Sequence, residues 1–258
     1  YKTGPLSVTA GLRYTIATGV QSAQQALSGA FNTPLIEVIP PNLQRRRNTP
    51  FTGGATISYA FSPELNAYVA YGHSFRSGSS KVAGPAFVSS DLIRTQPEKS
   101  DSVEIGLKGS AFDRKLDFSI AGFYQKIDNF LSRFTSIYYN SPLDASPTGT
   151  FDFNYNGKAV IKGVEESVSA RPTRNWDLNV AASYTHARWD NANLPCNDYA
   201  GTGSPNGSGT PAVTGPGNVS YCRTNDRLAN TPDFSLTANT EVRYPLETVT
   251  PFVRALLQ

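Results

Sequence analysis

Nine stretches of this sequence alternate apolar and polar residues at period two, and the connections between them strictly alternate short and long. Period two puts successive side chains on opposite faces of an extended ribbon. The pattern therefore predicts strands, and no segment of useful length carries the i, i+3, i+4 recurrence of an amphipathic helix. Leu65, Ala67, Val69, Tyr71 and Phe75 fall on one face of their segment; Val103, Ile105, Leu107 and Ala111 do so on the next, opposite Glu104, Gly106, Lys108 and Ser110. The predicted strands cover 5–16, 51–61, 65–75, 100–112, 115–130, 159–171, 176–189, 232–244 and 248–258, each 11 to 16 residues long. Strands of soluble domains average about 5 to 6 residues, whereas a tilted strand crossing a bilayer needs about 9 to 11. Every candidate is long enough to span.

The connections sharpen this expectation. Short ones fall at Ser62-Pro63-Glu64, Asp113-Arg114, Pro172-Thr173-Arg174-Asn175 and Pro245-Leu246-Glu247, and long ones at 17–50, 76–99, 131–158 and 190–231. Tight turns at one rim and long loops at the other describe a membrane barrel with short periplasmic turns and long extracellular loops. Alternation alone does not say which face meets water, since soluble barrels turn the apolar face inward. Strand length and loop segregation turn it outward here. The inner face then carries Arg13, Glu104, Lys108, Asp117, Gln125, Glu165, Asp177, Asn179, Asn239, Glu241 and Arg243, too many charges for a dry core. Phe61, Trp176 and Tyr244 beside short turns, and Tyr14, Phe51, Phe75, Phe130 and Phe234 beside long loops, form two aromatic girdles on the apolar face. Phe112 and Trp189 break that parity, by pointing inward or through a bulge, and Glu166 shares the lipid-facing side with Val164 and Val168.

Composition excludes other classes. No run approaches the roughly 18 to 20 apolar residues of a membrane helix, while 13 Tyr and 14 Phe with no Met suit strands. A net charge of +3 is too close to balance to indicate a nucleic-acid partner. Residue 1 is Tyr, and residues 248–258 still read as strand where the sequence stops, so the chain is expected to be a piece of a longer one. The fold class expected is all-β, a partial transmembrane antiparallel up-and-down barrel of about nine long strands.

Particular strings go further. Phe75-Arg76-Ser77-Gly78, then Pro97-Glu98-Lys99-Ser100 leading into Ser102-Val103-Glu104-Ile105-Gly106-Leu107-Lys108, with Phe123-Tyr124, Asn156-Gly157 before Gly163-Val164-Glu165, and Asn230-Thr231-Pro232, resemble in content and order the barrel half of TonB-dependent receptors. The resemblance runs over 1–258 and is strongest between 51 and 244. It implies a section of a 22-stranded outer-membrane barrel in a Gram-negative bacterium, importing a scarce ligand such as an iron-siderophore complex. The implied partners are the bilayer, the ligand, and the TonB complex of the inner membrane acting through a plug. That plug and the C-terminal strands are expected outside residues 1–258. A surface-binding barrel without transport, and a rim-active hydrolase, are the alternative readings.

Ligand capture is expected of loop and upper-wall residues that combine cationic forks with rings: Arg76, Arg94, Arg133, Tyr138, Tyr139, Tyr155 and Arg188. Such groups suit anionic or catecholate iron chelates through charge-assisted and stacking contacts, although exposed loop decoration accounts for each equally well. Arg45-Arg46-Arg47 reads as a solvated stretch or a lipopolysaccharide contact. Cys196 and Cys222, 26 residues apart in a Gly, Pro, Asn and Ser-rich loop, form a disulfide in an oxidising setting or else stay as free thiols. No catalytic group, cofactor or metal site is expected. His73 and His186 lie on the third and seventh strands, about 19 Å apart along the wall, and their neighbours Ser74 and Thr185 point to the opposite faces.

Overall fold

The structure is a computed structural model that describes residues 1–20, 24–25, 36–37, 44–78, 92, 94–140, 147–205, 207–213, 218–229 and 232–258. In chain order the strands are β1 Lys2–Thr3, β2 Leu6–Tyr14, β3 Ala17–Val20, β4 Gln24–Gln25, β5 Ile36–Glu37, β6 Arg45–Asn48, β7 Phe51–Ser62, β8 Leu65–Arg76, β9 Glu98–Ala111, β10 Leu116–Asn140, β11 Pro147–Thr173, β12 Trp176–Trp189, β13 Ala192–Cys196, β14 Ser220–Thr224, β15 Phe234–Arg243 and β16 Phe252–Leu257. One ten-stranded antiparallel sheet runs β1-β2-β7-β8-β9-β10-β11-β12-β15-β16, so chain neighbours pair in space and the nine expected strands form one wall. The sheet is open, with β1 and β16 at its ends.

Register explains why the wall has two chemistries. One cross-strand row reads Val8, Ile57, Val69, Ile105, Gly122, Val164, Tyr184 and Phe234. The adjacent row reads Ser7, Ser58, Tyr68, Gly106, Ala121, Glu165, Ser183 and Ser235. A slip of one residue in any strand would mix the rows. The apolar row is the exposed one: Ile105 is 63% and Phe234 58% accessible. Hollows of about 630 and 430 Å³ open on the polar face, the first lined by Asp117, Asn179, Asn239 and Glu241, the second by Tyr68, Glu104, Lys108 and Glu165. The polar face is thus the concave one.

Buried apolar side chains sit above the wall. Leu92, Ile137, Phe153 and Val219 form one cluster, and Trp189, Ala192 and Leu194 another. This overturns part of the loop expectation. The stretch 131–158 extends the wall hairpin, because β10 continues to Asn140 and β11 begins at Pro147. Strands also arise within 17–50, where β3 pairs with β6, and within 190–231, where β13 pairs with β14.

Three expectations about single side chains are corrected or resolved by the backbone. Between Ile127 and Phe130 the β10–β11 register shifts, so Ile127 faces Ala159 and Phe130 faces Gly157. Asn129 takes a φ of 59° there. The bulge switches parity, which moves Phe130 off the lipid-facing girdle and against Trp189, ring centroids 5.5 Å apart. Trp189 departs from the outer face because it is buried in that same cluster. Phe112 lies beyond the end of β9 in a turn with φ values of 55°, 57° and 63° at Phe112, Asp113 and Arg114. Glu166 has no bulge to excuse it: it pairs in register with Ile120 and Ala182 and is exposed on the apolar face.

Candidate functional site

The site that the sequence builds is a platform at the long-loop end of the wall. Its base is the Pro97-Glu98 turn into β9. Glu98 Oε2 accepts from Arg76 Nη2 at 2.5 Å and from the Leu131 backbone N–H at 2.9 Å, while the Pro97 carbonyl accepts from Asn129 Nδ2 at 3.1 Å. One carboxylate therefore staples β8, β9 and β10 at the rim. Asn156 works the same way from β11: its Oδ1 accepts the Gln96 N–H at 2.6 Å and its Nδ2 donates to the Gln96 and Asn129 carbonyls. Gly157 beside it has no side chain because a Cβ there would lie 2.5 Å from the Trp189 ring. Sequence reasoning noted these residues as strings; their role as staples shows only once the strands are paired.

Above the staples the platform carries its own core. Phe134, Tyr139, Phe151, Tyr155 and Tyr221 pack around Leu92, Ile137, Phe153 and Val219, with Phe151 and Phe153 stacked at 4.7 Å. The loop between β12 and β15 is drawn into this core by β13 and β14, whose register sets Cys196 opposite Ser220 and Cys222 opposite Leu194. Cys196 and Cys222 are disulfide-bonded, Cα to Cα 5.7 Å, on diagonal positions of that ribbon. Asn197 ties the ribbon to the β10 extension through its Oδ1, which accepts the Tyr138 N–H at 2.9 Å, and its Nδ2, which donates to the Ser136 carbonyl.

Two loop groups titrate away from their ordinary values. Asp198 is held below the usual carboxylate range, chiefly by the Gly203 N–H donating to Oδ2 at 2.7 Å and further by the Thr202 N–H at 3.0 Å; burial opposes the shift. Arg46, taken from the string expected to be solvated, is half-buried and donates from Nη1 to the Thr95 carbonyl at 2.8 Å. Burial first and the charge of Arg94 second lower its pKa.

The seven expected capture residues are spread over this platform. Tyr139 and Tyr155 meet at the same apolar cluster, and Tyr155 also touches the second one. Tyr138 contributes its backbone to the Asn197 tie. Arg133 pairs with Asp152 at 3.0 Å and keeps a side chain 70% exposed; Arg76, paired with Glu98, is 54% exposed. Arg94 donates to the Arg45 carbonyl at 3.2 Å. By register Arg133, opposite Asn154 on β11, and Arg188, opposite Val160, lie on the outward side of the wall, and Arg188 pairs with Asp233 at 3.3 Å.

Below the platform the concave wall holds a ladder of ions. Asp177 accepts from Arg171 Nε at 2.7 Å and is ion-paired with Arg243 Nη2 at 2.6 Å, and Glu241 joins Arg243 to Arg254. Higher up, Tyr68 donates to Glu104 Oε1 at 2.6 Å and lies under the Lys108 ammonium, 5.1 Å from its ring centre. His73 faces Asp101 at 2.8 Å on the outward side. Among the described residues no group of three or more His, Cys, Asp or Glu is placed to hold a metal ion.

A wall of this kind has solved counterparts. The ferric yersiniabactin uptake receptor FyuA of Yersinia pestis matches at a TM-score of 0.65 and 13% identity, over 98% of this chain and 31% of that one. The siderophore receptor PiuA of Acinetobacter baumannii matches at a TM-score of 0.55 and 16% identity, over 92% and 29%. BauA, the ferric preacinetobactin receptor of the same species, matches at 0.56 and 13%, over 97% and 29%. The chain thus spans about a third of the length of these structures, and at such identities the likeness concerns the fold. The model of the TonB-dependent receptor-like β-barrel matches residues 1–255, nearly the whole sequence. With short turns at one rim, a cross-linked loop platform at the other and charges lining the hollow between them, the chain belongs to the TonB-dependent receptor β-barrel family, a family of transport receptors and not of enzymes.

Proposed function

We propose that this chain is part of the wall and outer vestibule of an outer-membrane receptor that captures a scarce nutrient complex, such as an iron chelate, and imports it with TonB-supplied energy. The supporting observation is the platform: three connections that a bare pore would leave loose are stitched by Glu98, Asn156, Asn197 and a disulfide into one body above a polar, concave wall. A preorganised rim lowers the ordering cost of binding a ligand. On it, Arg76 and Arg133 offer exposed guanidinium groups for an anionic chelate, and Tyr138, Tyr139, Tyr155, Arg94 and Arg188 complete the proposed capture set. The open edges at β1 and β16 require further strands, because hydrocarbon satisfies no backbone N–H or C=O. The plug that contacts TonB is assigned to the same full-length protein.

Uptake of radiolabelled iron on catecholate, hydroxamate and mixed chelates, by cells with and without the full-length gene, tests the import. Loss of uptake for one chelate class is the expected result. Unchanged uptake for every class overturns iron import, and surface binding without uptake makes the barrel a capture or adhesion surface.

A further inference from the structure

Strands β9 and β10 part company at the outer rim. Their ladder ends at the Lys99–Asp128 pair, and the Asn129 bulge then carries β10 upward without β9 beside it. A strand that loses its neighbour leaves N–H groups in need of acceptors. Pro97 and Glu98 supply them at this point: the Pro97 carbonyl takes Asn129 Nδ2 at 3.1 Å, and Glu98 Oε2 takes the Leu131 N–H at 2.9 Å. The same Glu98 oxygen accepts from Arg76 Nη2 at 2.5 Å, across the last rung of the β8–β9 ladder. Arg76 stands eleven residues above Leu65 at the start of β8. At about 3.3 Å per residue and a tilt of about 40°, that is about 28 Å, just above a lipid-facing band of about 25 Å. Counted in twos from Tyr68 and Glu104, both side chains lie on the concave face.

The pair is built unevenly. Glu98 keeps a side chain 16% exposed and Arg76 one 54% exposed. The carboxylate is turned into the rim, where one oxygen serves two strands, while the guanidinium has one nitrogen engaged and the others open to the vestibule. A long cationic side chain left to itself samples many rotamers, and that freedom is lost when a ligand immobilises it. Glu98 removes much of it beforehand. The β10–β11 hairpin tied by the same oxygen carries Phe134, Tyr139, Phe151 and Tyr155. One carboxylate therefore fixes where the cation stands relative to the rings.

We propose that Glu98 is a positioning residue for capture: it touches no ligand, and holds the Arg76 guanidinium in one orientation against the β10–β11 hairpin, so that an anionic chelate meets a preset cation. This role deepens the receptor reading and rests on Arg76 meeting the ligand. The sign of its effect separates it from simple electrostatics. Were Glu98 felt only through its charge, neutralising it would strengthen the binding of an anion, because a negative group beside the capturing cation would be gone. As a holder of Arg76, it weakens binding when neutralised. Glu98→Gln isolates the second effect, since a glutamine oxygen still accepts the Leu131 N–H and keeps the hairpin tied, while the charge-assisted hold on Arg76 is lost.

The test uses the full-length receptor in mild detergent and two probes, a ferric tricatecholate complex of net negative charge and a ferric trihydroxamate complex of no net charge, each titrated by calorimetry. Glu98→Gln is expected to weaken the anionic probe roughly three- to tenfold, the ordering cost of one long side chain. Arg76→Gln is expected to weaken it at least as much. Adding Glu98→Gln to Arg76→Gln should then change nothing further, because a residue that acts through another falls silent once the other is gone. Hydrogen exchange of the 129–134 amides is expected to stay as in the wild type, and the uncharged probe to distinguish no variant. Unchanged or tighter binding of the anionic probe in Glu98→Gln, a full Glu98→Gln effect without Arg76, or freed hairpin amides with equal losses for both probes, each overturns the proposal. So does a receptor that binds only the uncharged probe. A wild-type receptor that binds neither overturns iron-chelate capture itself.

Discussion

Single residues in this chain act mostly by holding something else in place. Asp198 is the clearest case, because its carboxylate gathers the Thr202 and Gly203 N–H groups of the loop that follows it. Its folded pKa is depressed, so its contribution is present above the unfolded value of about 3.9 and is lost as pH falls through the folded value. The segment 198–212 is therefore expected to become protease-sensitive below about pH 4, and already at neutral pH in Asp198→Asn; limited proteolysis read by mass spectrometry checks both. Nothing in the local sequence marks Asp198, since a carboxylate that caps a loop looks like any other until the backbone folds around it. Phe130 shows the opposite failure. Its parity in the sequence is sound up to Lys126, and one inserted residue at the Asn129 bulge reverses its face.

At the scale of elements, the wall strands were legible and the platform strands were not. Period-two alternation is sharp where one face meets lipid and the other water, as in Val103 to Leu107. It continues in β11 where Phe151, Phe153 and Tyr155 alternate with Asp152, Asn154 and Asn156, but there the apolar side packs into the platform core, and in β10 two register shifts, between Ile127 and Phe130 and between Phe134 and Ile137, break it. The β13–β14 ribbon is cross-linked by the Cys196–Cys222 bond. In the loop-entropy model the bond is worth about 3 to 4 kcal/mol for a loop of this length. Cys196→Ser/Cys222→Ser is expected to lower the melting temperature of the platform, followed by Trp189 fluorescence, and to weaken ligand binding while leaving membrane insertion intact. Equal ligand affinity in the variant would separate the ribbon from capture.

For the whole molecule, the governing feature is which way the wall faces. Ile105 lies six residues above the end of β9, near the middle of the spanning band, and is exposed; Ser183 lies in the polar row on β12, facing the hollow and opposite Glu165. Ile105→Lys is expected to cost about 2 to 4 kcal/mol in bilayer unfolding titrations and to reduce insertion, whereas Ser183→Lys should cost little. Comparable losses at both positions would mean that the faces have been exchanged. The sequence by itself determined the wall: its nine long strands, their spanning length, the pairing of neighbours and the sidedness of the alternation all follow from periodicity and connection length, which are local. It also identified the family, through strings such as Pro97-Glu98-Lys99-Ser100. Tertiary structure alone decided the platform, the switch at Phe130 and the meeting of Glu98 with Arg76 and Leu131. Those depend on bulges and on register between strands that lie tens of residues apart, and long-range pairing leaves no trace in the order of residues along any one strand.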